Sequence, residues 1–218
     1  LGDGVFDTLK YVPHYGLLWQ DDHLDRLRQH ATVLQIKVPF TSQEIKQGLN
    51  LLLDRNRWQD KTVIFRITLT RGSGVRGITP PNQMAQKPQL IITGAVMKDD
   101  TAPEPAALMI SKNVRRNEGS KLSQIKSLNY GDAVLAKLEA QHNNVDDCVL
   151  LNNTGHVTCT SIANIFIEKN QKLITPPIEG GVMNGIIRQK IIEHTNAEQT
   201  PITAEDLLSA DHVYLTNS

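Results

Sequence analysis

The chain has 218 residues, and its 23 basic and 23 acidic side chains cancel at a sequence pI of about 7.2. That length suffices for one large domain or two small ones with a hydrophobic core. Balanced charge without a basic stripe argues against nucleic acid as a partner, Lys112 to Arg116 being the nearest approach to one. No apolar run approaches the roughly 18 residues of a membrane span. Cys148 and Cys159 have neither Cys-x-x-Cys nor Cys/His ligand spacing, so no disulfide framework or metal site is indicated and a reducing cytoplasm is expected.

In chain order, Gly2 to Tyr11 predicts a turn feeding a strand, with Val5, Thr8 and Leu9 as strand formers. Asp21 or Asp22 is expected to cap a helix bearing Leu24, Leu27, Ala31 and Leu34 on one face. A second helix is expected from about Ser42 to Arg57, with Ile45, Leu49 and Leu52 at helical spacing. Thr62 to Thr70 alternates: Val63, Phe65, Ile67 and Leu69 point one way, Arg66 and Thr68 the other, as in a half-buried strand. The Gly-rich loop Arg71 to Gly77 follows, then a strand at Leu90 to Met97, a polar stretch at 98–105 and a short strand at Ala107 to Ile110.

Ser111 to Gln124 is charged and poorly periodic, so a domain boundary is expected there, dividing residues 1–115 from 116–218. Tyr130 to His142 predicts a helix burying Val134, Leu135 and Leu138. Antiparallel strands are expected at Cys148 to Leu151, Val157 to Ser161 and Ile165 to Glu168, turning at Asn153-Thr154-Gly155 and Lys169-Asn170-Gln171. A helix at Gly185 to His194, a helical turn at Asp206 to Ala210 and a strand at His212 to Thr216 complete an α+β or mixed α/β chain. The opening on Leu1-Gly2 without methionine, and the stop directly after a strand, suggest a piece of a longer protein.

Three features have chemical potential. Lys126, in Ile125-Lys126-Ser127-Leu128-Asn129, is either an ordinary solvated lysine or a half-buried amine whose lowered pKa makes it a nucleophile. Gly180-Gly181-Val182-Met183-Asn184-Gly185 leads into a helix whose free N–H groups suit a phosphate, although glycines there also serve the turn alone. Arg26, beside the apolar stripe of its helix, either faces an anion or pairs with a nearby aspartate. The loop Arg71 to Gly77 places an arginine at each end of a glycine run, suited to a carboxylate or simply to a hairpin; it lacks the Lys-Ser/Thr ending of a P-loop.

The order of these blocks resembles a known family. Gly2-Asp3-Gly4-Val5-Phe6-Asp7-Thr8-Leu9, His23-Leu24-Asp25-Arg26-Leu27, Arg71-Gly72-Ser73-Gly74 and Lys126-Ser127-Leu128-Asn129 are similar to the class IV (fold type IV) pyridoxal-phosphate aminotransferases and lyases. Val157-Thr158, Ala163-Asn164-Ile165-Phe166, Asn184-Gly185-Ile186 and Leu215-Thr216-Asn217-Ser218 continue the pattern. The resemblance implies a small N-terminal α/β domain, a larger β pseudo-barrel domain with helices, and a homodimer with pyridoxal 5'-phosphate between the domains. It implies that Lys126 forms the Schiff base and shuttles protons. Arg26, the N–H groups of Gly185, Ile186 and Ile187, and Asn217 with Ser218 are implied at the phosphate. Phe6 and Arg76 fall on the substrate side.

Within the family, the Arg-Gly-Ser-Gly-x-Arg-Gly loop and the Leu-Thr-Asn-Ser ending most resemble the 4-amino-4-deoxychorismate lyases, which release pyruvate to give 4-aminobenzoate in folate biosynthesis. Lys126-Ser127-Leu128-Asn129 and the Val134 to Ala140 stretch are equally similar to D-amino-acid aminotransferases, with branched-chain aminotransferases and a non-catalytic cofactor-binding homologue as alternatives. Two positions depart from the pattern. Cys159 stands where the family carries a glutamate at the pyridine nitrogen, and Ile187 where threonine is common. A thiol is at most a weak hydrogen-bond partner, which favours elimination over transamination as the expected chemistry.

Overall fold

A computed structural model of the chain describes residues 2–74, 76–97 and 104–218 and resolves two compact units. The first comprises the chain up to residue 102, together with Lys126–Leu128. Its sheet has the order β2-β1-β3-β4, built from β1 (Gly4–Val12), β2 (Gly16–Leu17), β3 (Val63–Thr70) and β4 (Gln89–Val96), all antiparallel. Val63, Phe65, Ile67 and Leu69 are fully buried, as the alternation requires, and Val5 and Leu9 of β1 lie buried with them.

Two helices precede β3. In α1 (Gln20–Val33), Leu24, Leu27 and Ala31 form the buried stripe. The expected aspartate cap is not used: Trp19 occupies the N-cap in a left-handed conformation with no side-chain cap, while Asp21 and Asp22 sit inside the first turn, where a negative charge still suits the dipole. Helix α2 (Ser42–Asn56) starts with a reciprocal capping box between Thr41 and Glu44, and buries Ile45, Leu49 and Leu53 rather than Leu52.

Arg71 is an internal tie in this unit. Its guanidinium donates to both carboxylate oxygens of Asp3 and to the carbonyls of Leu34 and Gln35, so the arginine that opens the Gly-rich loop is already committed. Gly72 follows at φ 86°, and a Cβ there would lie 1.8 Å from the Lys87 carbonyl oxygen.

The second unit contains β5 (Leu108–Arg116), α3 (Gly131–His142), β6 (Asp147–Asn152), β7 (Val157–Thr160), β8 (Asn164–Lys169), β9 (Lys172–Thr175), α4 (Ile186–Thr195), β10 (Glu198–Gln199), α5 (Ala204–Leu208) and β11 (His212–Thr216). Its seven-stranded sheet runs β10-β9-β8-β7-β6-β5, with β11 antiparallel to β8 and β5 parallel to β6. Strand β5 extends to Arg116 through an irregularity between Ile110 and Arg115 and lies wholly in this unit. A division at 115/116 would instead give most of β5 to the first domain. Residues 98–103 of the expected polar stretch lie outside the described residues.

Helix α3 corrects an expectation. Val134, Leu135 and Leu138 are exposed, whereas Ala136 and Ala140 pack in a cluster with Val114, Cys148, Leu150 and Cys159. Small residues let the helix lie close to the sheet, and Glu139 fixes it there by accepting from the Ser111 hydroxyl and the Lys112 N–H.

Because Gly72 combines a left-handed backbone with an occupied Cβ position, Gly72→Ala is expected to destabilise the first unit by about 3 kcal/mol. Chemical denaturation of the variant beside the wild type measures the loss.

Candidate active site

The backbone carries Lys126 into the first unit. Phe6 N–H donates to the Lys126 carbonyl at 2.8 Å, Leu128 N–H donates to the Gly4 carbonyl at 2.9 Å, and Ser127 bridges Val5. Strand β1 pairs with β3 from Gly4 to Tyr11, so this short segment takes the other edge of its first half. Helix α1 adds a further restraint: Lys126 N–H donates to Nδ1 of His30 at 3.1 Å. That bond requires the His30 tautomer with its proton on Nε2.

The Lys126 amine stands 4.8 Å from the centre of the Phe6 ring, and the Arg66 guanidinium lies over the same ring at 3.6 Å. Burial lowers the amine to a pKa of about 8, assisted by the positive charges of Arg26 and Arg66 and opposed by Asp7. A nucleophilic fraction therefore exists near neutrality.

Beneath the amine lies a buried ion group. Arg26 donates from Nε to Oδ2 of Asp7 at 2.8 Å and from Nη2 to Oδ1 at 2.7 Å, and His23 Nδ1 donates to the same Oδ1 at 2.7 Å. Burial alone would raise the Asp7 carboxyl, but the hydrogen bonds from Arg26 and His23 bring it down to about 2. Nη1 of Arg26 has no acceptor among the described residues, leaving one arm of the guanidinium for a further anion. His30 is held at about 4, first by burial and then by Arg26, so it is neutral at physiological pH.

The second unit gathers polar groups around the start of β8. Asn164 pairs with Cys159 of β7 on one side and Thr216 of β11 on the other. Its Nδ2 donates to the Met183 carbonyl at 2.9 Å, and a Cβ on Gly185, the N-cap of α4, would meet its Oδ1 at 2.2 Å. A side chain at Gly185 would therefore have to displace the Asn164 amide from this position. No side chain caps α4. The buried hydroxyls of Ser161 and Thr216 and the Nε of Arg188 have no hydrogen-bond partner among the described residues.

The residues singled out by sequence fall out as follows. Lys126, Arg26 and Phe6 meet in the first unit. Gly185, Ile186 and Ile187 open α4, with Asn217 and Ser218 directly following the Thr216 that pairs with Asn164. Cys159 is different, because its side chain belongs to the apolar cluster with Cys148, Leu150 and Ala136. Arg76 is exposed in the Gly-rich loop, with no hydrogen bond or ion pair among the described residues. Sequence reasoning missed His30, Arg66, Ser161 and the placement of Thr216. Arg66 lay on the outward phase of an alternating strand, and nothing local distinguishes His30 from any helical histidine.

These groups fit pyridoxal phosphate. A buried amine of lowered pKa suits its aldehyde, and an arginine with a spare arm suits its phosphate. An uncapped helix start beside orphaned hydroxyls suits a phosphate equally. When bound, the cofactor supplies an aldehyde that condenses with amines and a conjugated ring that takes up negative charge.

Two titrations follow. In cofactor-free protein, acylation of Lys126 should reach half its maximal rate near pH 8 rather than near 10.5. For stability, the folded pKa of His30 (about 4) lies below its ordinary 6.5, so the unfolded chain binds the extra proton between those values. The wild type should lose about 3 kcal/mol as pH falls from 6.5 to 4, and His30→Gln should lack that component in urea titrations at several pH values.

Comparison with known proteins agrees with this geometry. The amino-transferase class IV family matches residues 4–218. A Methanocaldococcus jannaschii protein, provisionally named a branched-chain-amino-acid aminotransferase, is 33% identical over 100% of this chain and 75% of its own length. An aminodeoxychorismate lyase of Vibrio harveyi is 28% identical over 100% of this chain and 80% of its own. The crystal structure of a Thermoproteus uzoniensis branched-chain aminotransferase superposes with a TM-score of 0.89 at 23% identity, covering 99% of this chain and 74% of the other. The fold is therefore the mixed α/β fold type IV, and the chain belongs to the class IV aminotransferase family of pyridoxal-phosphate enzymes.

Proposed function

We propose that this chain is a lyase of the 4-amino-4-deoxychorismate type, releasing pyruvate and forming 4-aminobenzoate. The observation that carries this reading is Cys159, a thiol packed in an apolar cluster at the position where the family holds a carboxylate. Without a carboxylate there, a protonated pyridine has no ion-pair partner. Transamination relies on the ring to hold charge, whereas an elimination is relieved when its leaving group departs. Aromatisation of the substrate ring then supplies much of the driving force.

In this reading Lys126 Nζ would hold the cofactor through its aldehyde and, when free, would accept the substrate's α-proton and return a proton later. Its pKa of about 8 suits both directions. Arg26 holds the phosphate through Nη1, and Asp7 fixes the direction of its guanidinium. In the second unit the N–H groups of Gly185, Ile186 and Ile187, with Asn217 and Ser218, are suited to an anionic group such as a phosphate. Ile187 forgoes a hydroxyl contact worth about 1 kcal/mol. Phe6 and Arg76 are substrate-side residues, and the active assembly is a homodimer.

A second reading, a D-amino-acid or branched-chain aminotransferase, is favoured by Lys126-Ser127-Leu128-Asn129 and by the 33% identical relative. Holoprotein given 4-amino-4-deoxychorismate should release 4-aminobenzoate and pyruvate. Amino transfer to 2-oxoglutarate in place of that release would overturn the lyase reading. Lys126→Ala should abolish fixation of the cofactor by borohydride, and mass spectrometry of the digest locates the adduct. Cys159→Glu should raise amino transfer by at least about tenfold; a rate no higher than that of the wild type would remove the argument from the pyridine nitrogen.

A further inference from the structure

Arg188, the third residue of α4, is among the largest fully buried side chains, with 1% of its surface exposed. No carboxylate bonds to it among the described residues. Burial works against its charge, and Glu179 opposes that effect only through space. A guanidinium nevertheless stays protonated in a protein. The second unit therefore carries a buried positive charge in the first turn of α4, where the helix dipole already disfavours a cation. All its hydrogen bonds go to neutral oxygens. Nη1 donates to Oδ1 of Asn184, and Nη2 donates to the Pro176 carbonyl and to Oε1 of Gln199, each at 3.0 Å. Asn184 immediately precedes Gly185, the N-cap of α4; Pro176 follows the last residue of β9, and Gln199 ends β10. One planar group thereby fixes the approach to α4 against two strands. Gln189 helps from the next position, its Nε2 donating to the Asn184 carbonyl at 3.3 Å.

We propose that Arg188 is a positioning residue for the cofactor's phosphate, holding the start of α4 in place and lending its buried charge to the doubly charged form of that group. This role is the same whichever reaction the site performs. Both terminal nitrogens are engaged, so Arg188 acts through Asn184 and the helix start and is not itself a ligand. A buried cation without a carboxylate partner is costly, and an apolar side chain of similar volume would remove that cost. An anion at the start of α4 offsets the guanidinium and the helix dipole together. The partnerless buried hydroxyls of Ser161 and Thr216 belong to the same unit and would gain an acceptor from it. In a medium of low dielectric the attraction reaches beyond contact distance. A phosphate bound there gives up its second proton more readily than in water. Lysine would keep the charge but could not match the planar fork that reaches three acceptors.

The experiment titrates the full chain, freed of cofactor, with pyridoxal 5'-phosphate and with pyridoxal, which differs only in lacking the phosphate. Lys126 offers its amine to the aldehyde of either compound, so the ratio of the two affinities isolates the phosphate. R188Q should reduce the preference for the phosphorylated compound by about tenfold or more, while its affinity for pyridoxal changes less than about threefold. R188K should lose less of that preference than R188Q, because it keeps the charge. Phosphorus NMR of bound pyridoxal 5'-phosphate reads the charge directly: in R188Q the phosphate should take up its second proton at a pH higher by about 0.5 unit or more, whereas R188K stays close to the wild type. A wild type without preference, an unchanged preference in R188Q, an equal weakening of both compounds, or a phosphorus titration in R188Q that coincides with the wild type's would overturn the assignment. Urea denaturation shows whether each variant folds. If R188Q does not, R188K decides: its preference should fall by about threefold or more, and no fall would overturn the positioning role.

Discussion

The pairing of Lys126–Leu128 with the edge of β1 is the constraint on which the placement of the Lys126 amine depends. Each hydrogen bond contributes only about 1 kcal/mol, yet together they fix where one amine emerges. A lysine on a free loop would keep its ordinary pKa and sample many directions. Held by Phe6, Gly4 and His30, it is committed to the Phe6 ring and to the field of Arg26. His30 also explains why neutrality matters here. Only an unprotonated Nδ1 can accept the Lys126 N–H, and burial among cations keeps it so.

The charges around that amine are unbalanced in a telling way. Arg26 and Arg66 both lower the pKa of the Lys126 amine, and Asp7 is the carboxylate that opposes them. Asp7 is saturated by Arg26, His23 and the Thr8 N–H. Its role is to orient Arg26 and to offset one positive charge. The remaining positive charge leaves one arm of the Arg26 guanidinium open to a further anion. Arg71 shows the contrast: bound to Asp3 and two carbonyls, it has no capacity left for a ligand.

In the second unit polar and apolar positions alternate within a few residues. Cys159 points into the cluster beneath α3, while its pairing partner Asn164 serves the start of α4. The orphaned hydroxyls of Ser161 and Thr216 belong to the polar side. Buried groups without partners are uncommon because each costs about 1–3 kcal/mol. A phosphate would supply the acceptors that these donors lack.

Much of this was legible along the chain, and the limit is physical. The alternation of Val63 to Leu69 defined a half-buried strand, because side-chain period and burial are local properties of an extended backbone. The ordered blocks from Gly2 to Ser218 were enough to point to the family and to Lys126. Helix α3 marks where local pattern stops: periodicity gave an apolar face in Val134, Leu135 and Leu138, but the sheet selected the smaller Ala136 and Ala140. Local pattern along the chain was enough for most of the longer strands, the helices and the candidate amine, but not for the short strands β2, β9 and β10 or the second half of β5. That Arg71 is spent on Asp3 and that His30 accepts the Lys126 N–H follow from the folded chain alone. Those outcomes depend on contacts between residues tens of positions apart, which no local spacing encodes.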